Sequence, residues 1–338
     1  MLYKIIFMGT PDLAAECLKA LASVSRPFSP KSSWEIIAVL SQPDKPKGRK
    51  LRLQPTPVKN IALQFGIPCF QPEKLRTPET LELLQKLAPD LIIVAAYGKI
   101  LPQPLLDLPR YGCLNIHTSL LPLYRGAAPI QWAIIDRKST TGVTLMKMNA
   151  GLDTGDILAV SSTPIEDKDN AQTLHDRLAQ IGGELLIKTL PDYLSGNIIP
   201  TPQSEAKATY ARKITKEDGR IHWTMSARQL DSLIRGLTPW PGTYCLLTEG
   251  DKKILLKILK AEPLSLTENQ NDNYLKNSSN TPSAPPPGTI LRAENDELWI
   301  ACGEGLLRIL ELQREGKKPL PTRQFISGTS LTIGTQLE

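Results

Sequence analysis

The 338-residue sequence predicts an α/β chain of two domains: a doubly wound α/β domain over residues 1–195, then, past a linker at 196–212, a smaller β-barrel over 213–338. Three observations carry this expectation. Strand-like and helix-like stretches alternate through the first half, the pattern of repeated β-α-β units. The stretch "SGNIIPTPQSEAKATYARKI" then turns polar and proline-bearing. Beyond it come short strand-like runs with turn residues between them, the spacing of a small barrel. The length suits two domains, and 41% hydrophobic residues are enough for a sizeable core.

"YKIIFM" (3–8) reads as the first strand, "GTPD" as a turn and "LAAECLKALA" as a helix. The turn has a single glycine, and Pro11 sits where the helix begins. It lacks the glycine spacing of a dinucleotide fingerprint, so no nicotinamide or flavin cofactor is expected. "WEIIAVLS" (34–41) is a second strand. The segment 45–59, "KPKGRKLRLQPTPVK", carries Lys45, Lys47, Arg49, Lys50, Arg52 and Lys59 with no acidic residue. Gly48 and three prolines predict an irregular loop there. It is either a solvated surface or an arm that reaches phosphates. "TPETLELLQKLA" (77–88) predicts a helix with Thr77 as N-cap and Pro78 in the first position. "DLIIVAAYG" (90–98) is an unbroken apolar run, which suits a strand buried on both faces. "YGCLNIHTSLL" (111–121) is the next strand, and "GVTLMKM" (142–148) and "DILAVSS" (156–162) flank "NAGLDTG". A long helix is expected over 171–190. After the linker, "SARQLDSLIRGL" (226–237) predicts a helix, "PWPGTY" a turn, and five short strands follow. Residues 264–288 are rich in Asn, Ser and Pro and predict a mobile surface insertion.

The chain has only three histidines, and one of them, His117, stands two residues after Asn115. Side chains alternate along a strand, so the two share a face. They fall near the carboxyl end of the strand at 111–121, the edge where open α/β sheets bind ligands. The glycine-flanked "GLDTGD" loop brings a carboxylate, Asp153 or Asp156, to the same edge. An amide, an imidazole and a carboxylate suit acyl transfer to an amine. The carbonyl oxygen becomes negative and needs donors. The attacking nitrogen becomes positive and must lose a proton, which a carboxylate assists. The competing reading is a satisfied polar pair in a core, and a lone strand histidine is more often that. Ser119, Leu120, Leu121 and Pro122 leave the strand, since Pro122 cannot continue a central one. Such a loop either binds a planar ligand's polar edge through its backbone or is a plain connection.

Net charge is +6, with a pI near 9.0. Between residues 212 and 260 ten basic side chains face five acidic ones, most of the excess for the chain. This points to an anionic partner. Aromatics are few, at 5%, so backbone contact to a folded RNA fits better than stacking on single strands. The five cysteines have neither metal-ligand nor redox spacing. No metal and no disulfide framework are expected, and a reducing compartment fits. No signal peptide or membrane-length run appears, so a cytoplasmic protein is expected.

Several longer motifs lie in one order along the chain: "FMGTPD", "SQPDKPKGRK…PTPVK", "VAAYGKILP", "GCLNIHTSLLPLYRGAAPIQWAI", "TGVTLMKMNAGLDTGDIL", "YARKITKEDGRIHW", "LIRGLTPWPGTY" and "GKKPLPTRQF". On these motifs the chain resembles the methionyl-tRNA formyltransferase family. The resemblance implies a Rossmann-like formyltransferase domain followed by a tRNA-binding barrel of OB-fold type. It implies 10-formyltetrahydrofolate as formyl donor and co-substrate, and initiator methionyl-tRNA as acceptor. The chain is expected to act as a monomer. The resemblance implies Asn115, His117 and Asp153 as the catalytic set, choosing Asp153 over Asp156. It also implies that Ser119, Leu120, Leu121 and Pro122 hold the folate and that Arg49 reads the acceptor stem. Lys45, Lys47, Lys50 and Arg52 would then meet phosphates. Thr118 and Leu123 depart from the family pattern, where a smaller and a basic residue are usual. The rival readings are formyl transfer to a small amine, hydrolysis of the formyl folate, and a binder that kept the fold without the chemistry.

Overall fold

Strand and helix alternate from the start of the chain: β1 (Tyr3–Gly9), α1 (Asp12–Ser23), β2 (Trp34–Leu40), β3 (Lys45–Lys47), β4 (Arg52–Gln54), α2 (Pro57–Gln64), β5 (Cys69–Phe70), α3 (Pro78–Leu87), β6 (Leu91–Ala95), α4 (Gln103–Leu106), β7 (Cys113–His117), β8 (Arg125–Gly126), α5 (Pro129–Ile135), β9 (Thr140–Lys147), β10 (Ile157–Pro164), α6 (Ala171–Leu194) and β11 (Tyr210–Ala211). The computed structural model describes residues 2–27, 33–47, 52–264, 285–329 and 331–338. The chain divides into two units, the first formed by Met1–Pro129, Thr140–Ile165 and Thr173–Arg212, the second by Ile130–Ser139, Glu166–Gln172 and Lys213–Glu338.

The first unit is built on one sheet of order β10-β9-β7-β6-β1-β2-β5. Strands β5, β2, β1, β6 and β7 run parallel. Counted along the chain they lie third, second, first, fourth and fifth, the doubly wound Rossmann order with its switch point between β1 and β6. Strands β9 and β10 extend the sheet in antiparallel fashion. All five residues of β6 are buried, as its unbroken apolar run requires of a strand covered on both faces. Helix α3 begins as its sequence predicts, with the Thr77 hydroxyl accepting from Thr80 N and Pro78 in the first turn. Helix α6 lies close to β7 and α1 because of Gly182 and Gly183. A Cβ on Gly182 would stand 3.0 Å from Ile116 Cγ2, and one on Gly183 would stand 2.9 Å from Ala20 Cβ.

The stretch 196–212, expected as a linker, is instead built into the first unit. Thr201 and Ile157 exchange backbone hydrogen bonds of 2.8 Å in both directions, and β11 pairs in parallel with β8. Backbone pairing of this kind leaves no trace in hydropathy, so a polar, proline-bearing composition conceals it.

The second unit continues with α7 (Ala227–Gly236), β12 (Thr243–Glu249), β13 (Lys252–Pro263), β14 (Ile290–Glu294), β15 (Glu297–Ala301), β16 (Leu306–Arg314), β17 (Leu320–Pro321) and α8 (Thr322–Gly328). Ser226 and Gln229 form a reciprocal capping box at the start of α7. The strands form an antiparallel half-barrel of OB-like type, of order β12-β13-β16-β15-β14 with β17 on β16. Register shifts between Ile258 and Ala261 bend the long β13. Of the expected insertion at 264–288, residues 265–284 lie outside the described residues. Its two ends are tied to the half-barrel, Leu264 N donating to Leu306 O at 2.9 Å and Gly288 N to Ala301 O at 2.8 Å. Several basic residues here are paired with acids: Arg235 with Asp231 at 2.9 Å, and Lys253 with Glu338. Asp231 is already among the five acids of 212–260, whereas Glu338 comes from outside that stretch and offsets part of its excess.

All five cysteines are free thiols. Burial pushes those of Cys17, Cys113, Cys245 and Cys302 up to about 12, which keeps them unreactive. Among the described residues, no helix is long and apolar enough to cross a membrane.

Candidate active site

Strand β7 ends at the carboxyl edge of the sheet, held between β6 and β9 by the pairs Asn115 with Val94 and Met146, and His117 with Thr144. Period two puts the Asn115 and His117 side chains on one face, as expected. Asp153 comes to them from the loop between β9 and β10. Its Oδ2 lies 3.7 Å from His117 Nδ1, and its Oδ1 accepts from Asn115 Nδ2 at 3.4 Å. Oδ2 also accepts from Gly126 N at 2.8 Å. Asp156, the other carboxylate of that loop, is exposed, and its main-chain carbonyl accepts from Lys147 N at 2.8 Å.

The loop is shaped to present Asp153. Asn149 Oδ1 accepts from Gly151 N at 3.0 Å and from Thr154 Oγ1 at 2.7 Å. A Cβ on Gly155 would fall 1.7 Å from the Lys147 carbonyl, so only glycine fits there. Asp153 itself has φ of 53°, a left-handed conformation that Asp and Asn tolerate better than most residues.

His117 is buried, at 6% exposure. Its Nε2–H donates to the Tyr124 carbonyl at 2.9 Å, so the ring is clamped between that carbonyl and the Asp153 carboxylate. Tyr124 and Gly126 take part through main-chain atoms. Residue identity carries no signal for such a role, and sequence reasoning missed both.

The Ser119–Pro122 turn folds back at the end of β7. Ser119 is fully buried, and its hydroxyl donates to the Leu123 carbonyl at 2.6 Å. Its side chain is therefore spent on the turn, and its own carbonyl accepts from Thr144 Oγ1 at 2.7 Å. Leu121 N donates to the same Thr144 hydroxyl at 3.1 Å, and the Pro122 carbonyl accepts from Thr209 N at 3.2 Å. Leu121 is buried and Leu120 partly so. The turn is thus a braced structure rather than a plain loop.

The basic segment differs from expectation. Residues 45–59 are not wholly irregular. Strands β3 and β4 form an antiparallel ribbon that pairs Lys45 with Gln54, Pro46 with Leu53 and Lys47 with Arg52, and α2 begins at Pro57. Lys45 is exposed; Arg49 and Lys50 lie outside the described residues. Lys59 does not belong to a free arm. Its Nζ donates to Asp44 Oδ2 at 2.6 Å and to Gln71 Oε1 at 2.7 Å. Gln71 Nε2 donates to Asp44 Oδ1 at 2.6 Å, and the Ser41 and Thr56 hydroxyls bond at 2.6 Å across the base of the ribbon.

The hydrogen bonds from Gln71 and Lys59 hold the Asp44 carboxyl below the ordinary carboxylate range. A lowered folded-state value stabilises above the unfolded pKa, and the gain is lost as pH falls through the folded one. At neutral pH, protease nicking between residues 44 and 56 should therefore be slower in the wild type than in Asp44→Asn. The difference should vanish on acidification. Equal nicking of both proteins at neutral pH would show that this cluster does not brace the ribbon.

Comparison with known proteins identifies the family. Residues 3–190 match the family model for formyl transferase, and residues 213–330 match that for the formyl transferase C-terminal domain. The methionyl-tRNA formyltransferase of Caldanaerobacter subterraneus subsp. tengcongensis is 46% identical over 99% of this chain and 100% of its own length. That of Geobacter sulfurreducens is 44% identical over 99% and 96%. Two solved structures share the fold. WlaRD, a sugar 3N-formyl transferase, superposes with a TM-score of 0.62 at 16% identity over 94% of this chain and 100% of that one. HypX from Aquifex aeolicus in complex with tetrahydrofolic acid gives 0.59 at 16% over 98% and 50%. Matched in both halves by the formyl transferase models and nearly end to end by these relatives, the chain is a formyltransferase and belongs to the methionyl-tRNA formyltransferase family.

Proposed function

We propose that the chain moves the formyl group of 10-formyltetrahydrofolate to the amino group of methionine on initiator methionyl-tRNA. The observation that carries this reading is the convergence of Asn115, His117 and Asp153 at the carboxyl edge of the first unit's sheet. The neutral amine attacks the formyl carbon, and a tetrahedral oxyanion forms. The bond from carbon to N10 of the folate then breaks. N10 gains a proton and the former amine loses one, so formylmethionyl-tRNA and tetrahydrofolate leave. One acyl group moves and no atom changes oxidation state.

Asn115 Nδ2 carries two hydrogens, and its long bond to Asp153 uses one. The other is available to the oxyanion. His117 is the second donor, and an incoming formyl oxygen competes with the Tyr124 carbonyl for the Nε2 hydrogen. Asp153 takes the amine proton and orients the ring of His117. Main-chain groups and apolar side chains of Ser119–Pro122 are the proposed seat of the folate. The three catalytic groups come from one unit of one chain, which supports action as a monomer. Charged tRNA is a substrate of translation, so a cytoplasmic location is proposed.

The test incubates the protein and 10-formyltetrahydrofolate with charged initiator tRNA, charged elongator tRNA, glycinamide ribonucleotide and an amino-sugar nucleotide. Formylation of initiator tRNA above the others is the expected result. Transfer to a small amine, or to water alone, would overturn it.

Arg49 supplies a sharper test. A guanidinium can hydrogen-bond base edges in a fork that lysine cannot reproduce. Lys45, Lys47, Lys50 and Arg52 should add salt-sensitive affinity common to all tRNAs. Arg49→Lys should therefore narrow the gap between initiator and elongator tRNA, with formyl-donor binding unchanged, when both are assayed at two salt concentrations. An unchanged rate and preference would leave the segment as a solvated surface.

A further inference from the structure

The residue that fixes the Asp153 backbone comes from the stretch that composition marks as a linker. Gln203 Nε2 donates to the carbonyls of Asp153, at 2.8 Å, and Gly155, at 2.7 Å. Its Oε1 accepts from Arg125 Nε at 3.1 Å and Arg125 Nη2 at 3.0 Å. Both hydrogens and both lone pairs of the amide are thus in use. Arginine only donates and carbonyls only accept, so the amide cannot turn over without losing all four bonds.

Arg125 is anchored in turn. It is 1% exposed, and its Nη1 reaches both carboxylate oxygens of Glu205 at 2.9 and 2.8 Å. Burial alone would lower its pKa, but the hydrogen bonds to Glu205 and Tyr210 outweigh this and raise it, so the anchor is a permanent cation. Its two chain neighbours touch the reacting pair. The Tyr124 carbonyl holds His117 Nε2, and Gly126 N holds Asp153 Oδ2. One tripeptide therefore grips the imidazole on one side and the carboxylate on the other. Gln203 ties that tripeptide to the left-handed loop that carries the carboxylate.

We infer that Gln203, locked by Arg125, is a positioning residue that sets the separation of His117 and Asp153. The inference rests on the reading of that pair as catalytic. It touches no substrate atom; it acts through the Asp153 main chain.

Gln203→Met keeps the length and removes every bond. Gln203→Glu keeps an acceptor for Arg125, which guards against misfolding, but turns an oxygen toward two carbonyl oxygens. Both should lower kcat by roughly ten- to a hundredfold, the scale of an ångström misplacement. KM for each substrate should stay within about twofold, since no binding contact is lost. Gln203→Glu should be the worse of the two, whereas mere filling of space predicts the reverse. A second readout uses the scarcity of histidine. Only His117, His175 and His222 are present, so imidazole nitrogen resonances are readily assigned. The His117 signals should move in both variants while those of His175 and His222 stay. A normal kcat with unmoved His117 signals overturns the inference. So does a loss of kcat with unmoved His117 signals, because the loss then arises elsewhere. Moved His117 signals with a normal kcat uphold the positioning and overturn the catalytic role of the pair instead.

Discussion

Asp153→Asn should lower formylation turnover by roughly 10² to 10⁴, the scale of lost general acid–base help. Asparagine is the informative replacement because it fits the same space and tolerates the left-handed backbone at φ of 53°. Alanine would add backbone strain and confuse the result. The new side chain keeps one carbonyl oxygen, which can still accept from Gly126 N. Its amide group must then face the Asn115 Nδ2 that now donates to Oδ1, so a donor meets a donor. No carboxylate remains to take the amine proton. Asp156→Asn should change turnover far less, since that side chain is exposed at the far end of the loop. Initial rates at saturating folate and tRNA decide it. If Asp156→Asn is the more damaging, the wrong carboxylate has been assigned.

His117→Ala should cost about 3 kcal/mol of transition-state stabilisation, a hundredfold or more in turnover. Folate binding should persist, because the ring faces Tyr124 and Asp153 rather than the turn proposed for the folate. The variant also loses stability. It leaves a gap at a site 6% exposed and strips the Tyr124 carbonyl of its donor. A hydrogen bond lost at a buried site costs about 1–3 kcal/mol. Thermal unfolding must be followed beside the kinetics so that rates are taken per folded molecule. Near-normal turnover per folded molecule would make His117 a structural residue and sink the mechanism.

Much of the first unit could be read before any coordinates. The unbroken run Leu91–Ala95 is a strand buried on both faces, and Thr77 and Pro78 start a helix where their chemistry demands one. The Asn115 and His117 pair was legible because a strand has a period of two and the pair falls at its carboxyl end. The choice between Asp153 and Asp156 was not, because both flank a glycine turn and only a folded loop separates them. The β3 and β4 ribbon was hidden by its own residues. Pro46 and a dense basic charge signal a loop, yet a two-stranded ribbon tolerates a proline that need not donate. Lys59 looked like one of six free cations because its partners Asp44 and Gln71 lie outside the segment, fifteen and twelve residues away. The clamp on Asp153 was invisible for the same reason in stronger form: Gln203 lies fifty residues further along, and it binds main-chain carbonyls that any residue carries.

The family models end at residue 190 and resume at 213, so residues 191–212 belong to neither half. In sequence space that gap looks like a safe place to exchange parts between relatives. The fold disagrees. Gln203 and Glu205 hold Arg125, and the Thr209 hydroxyl accepts from Tyr124 N at 2.8 Å. A crossover near residue 190 would combine one ancestor's "LYRGAAP" with another's "TPQSEAKATYA", two pieces of a single lock inherited from different lineages. A crossover beyond Arg212 keeps Tyr124, Arg125, Gln203, Glu205 and Thr209, lock and key together, in one heritable block.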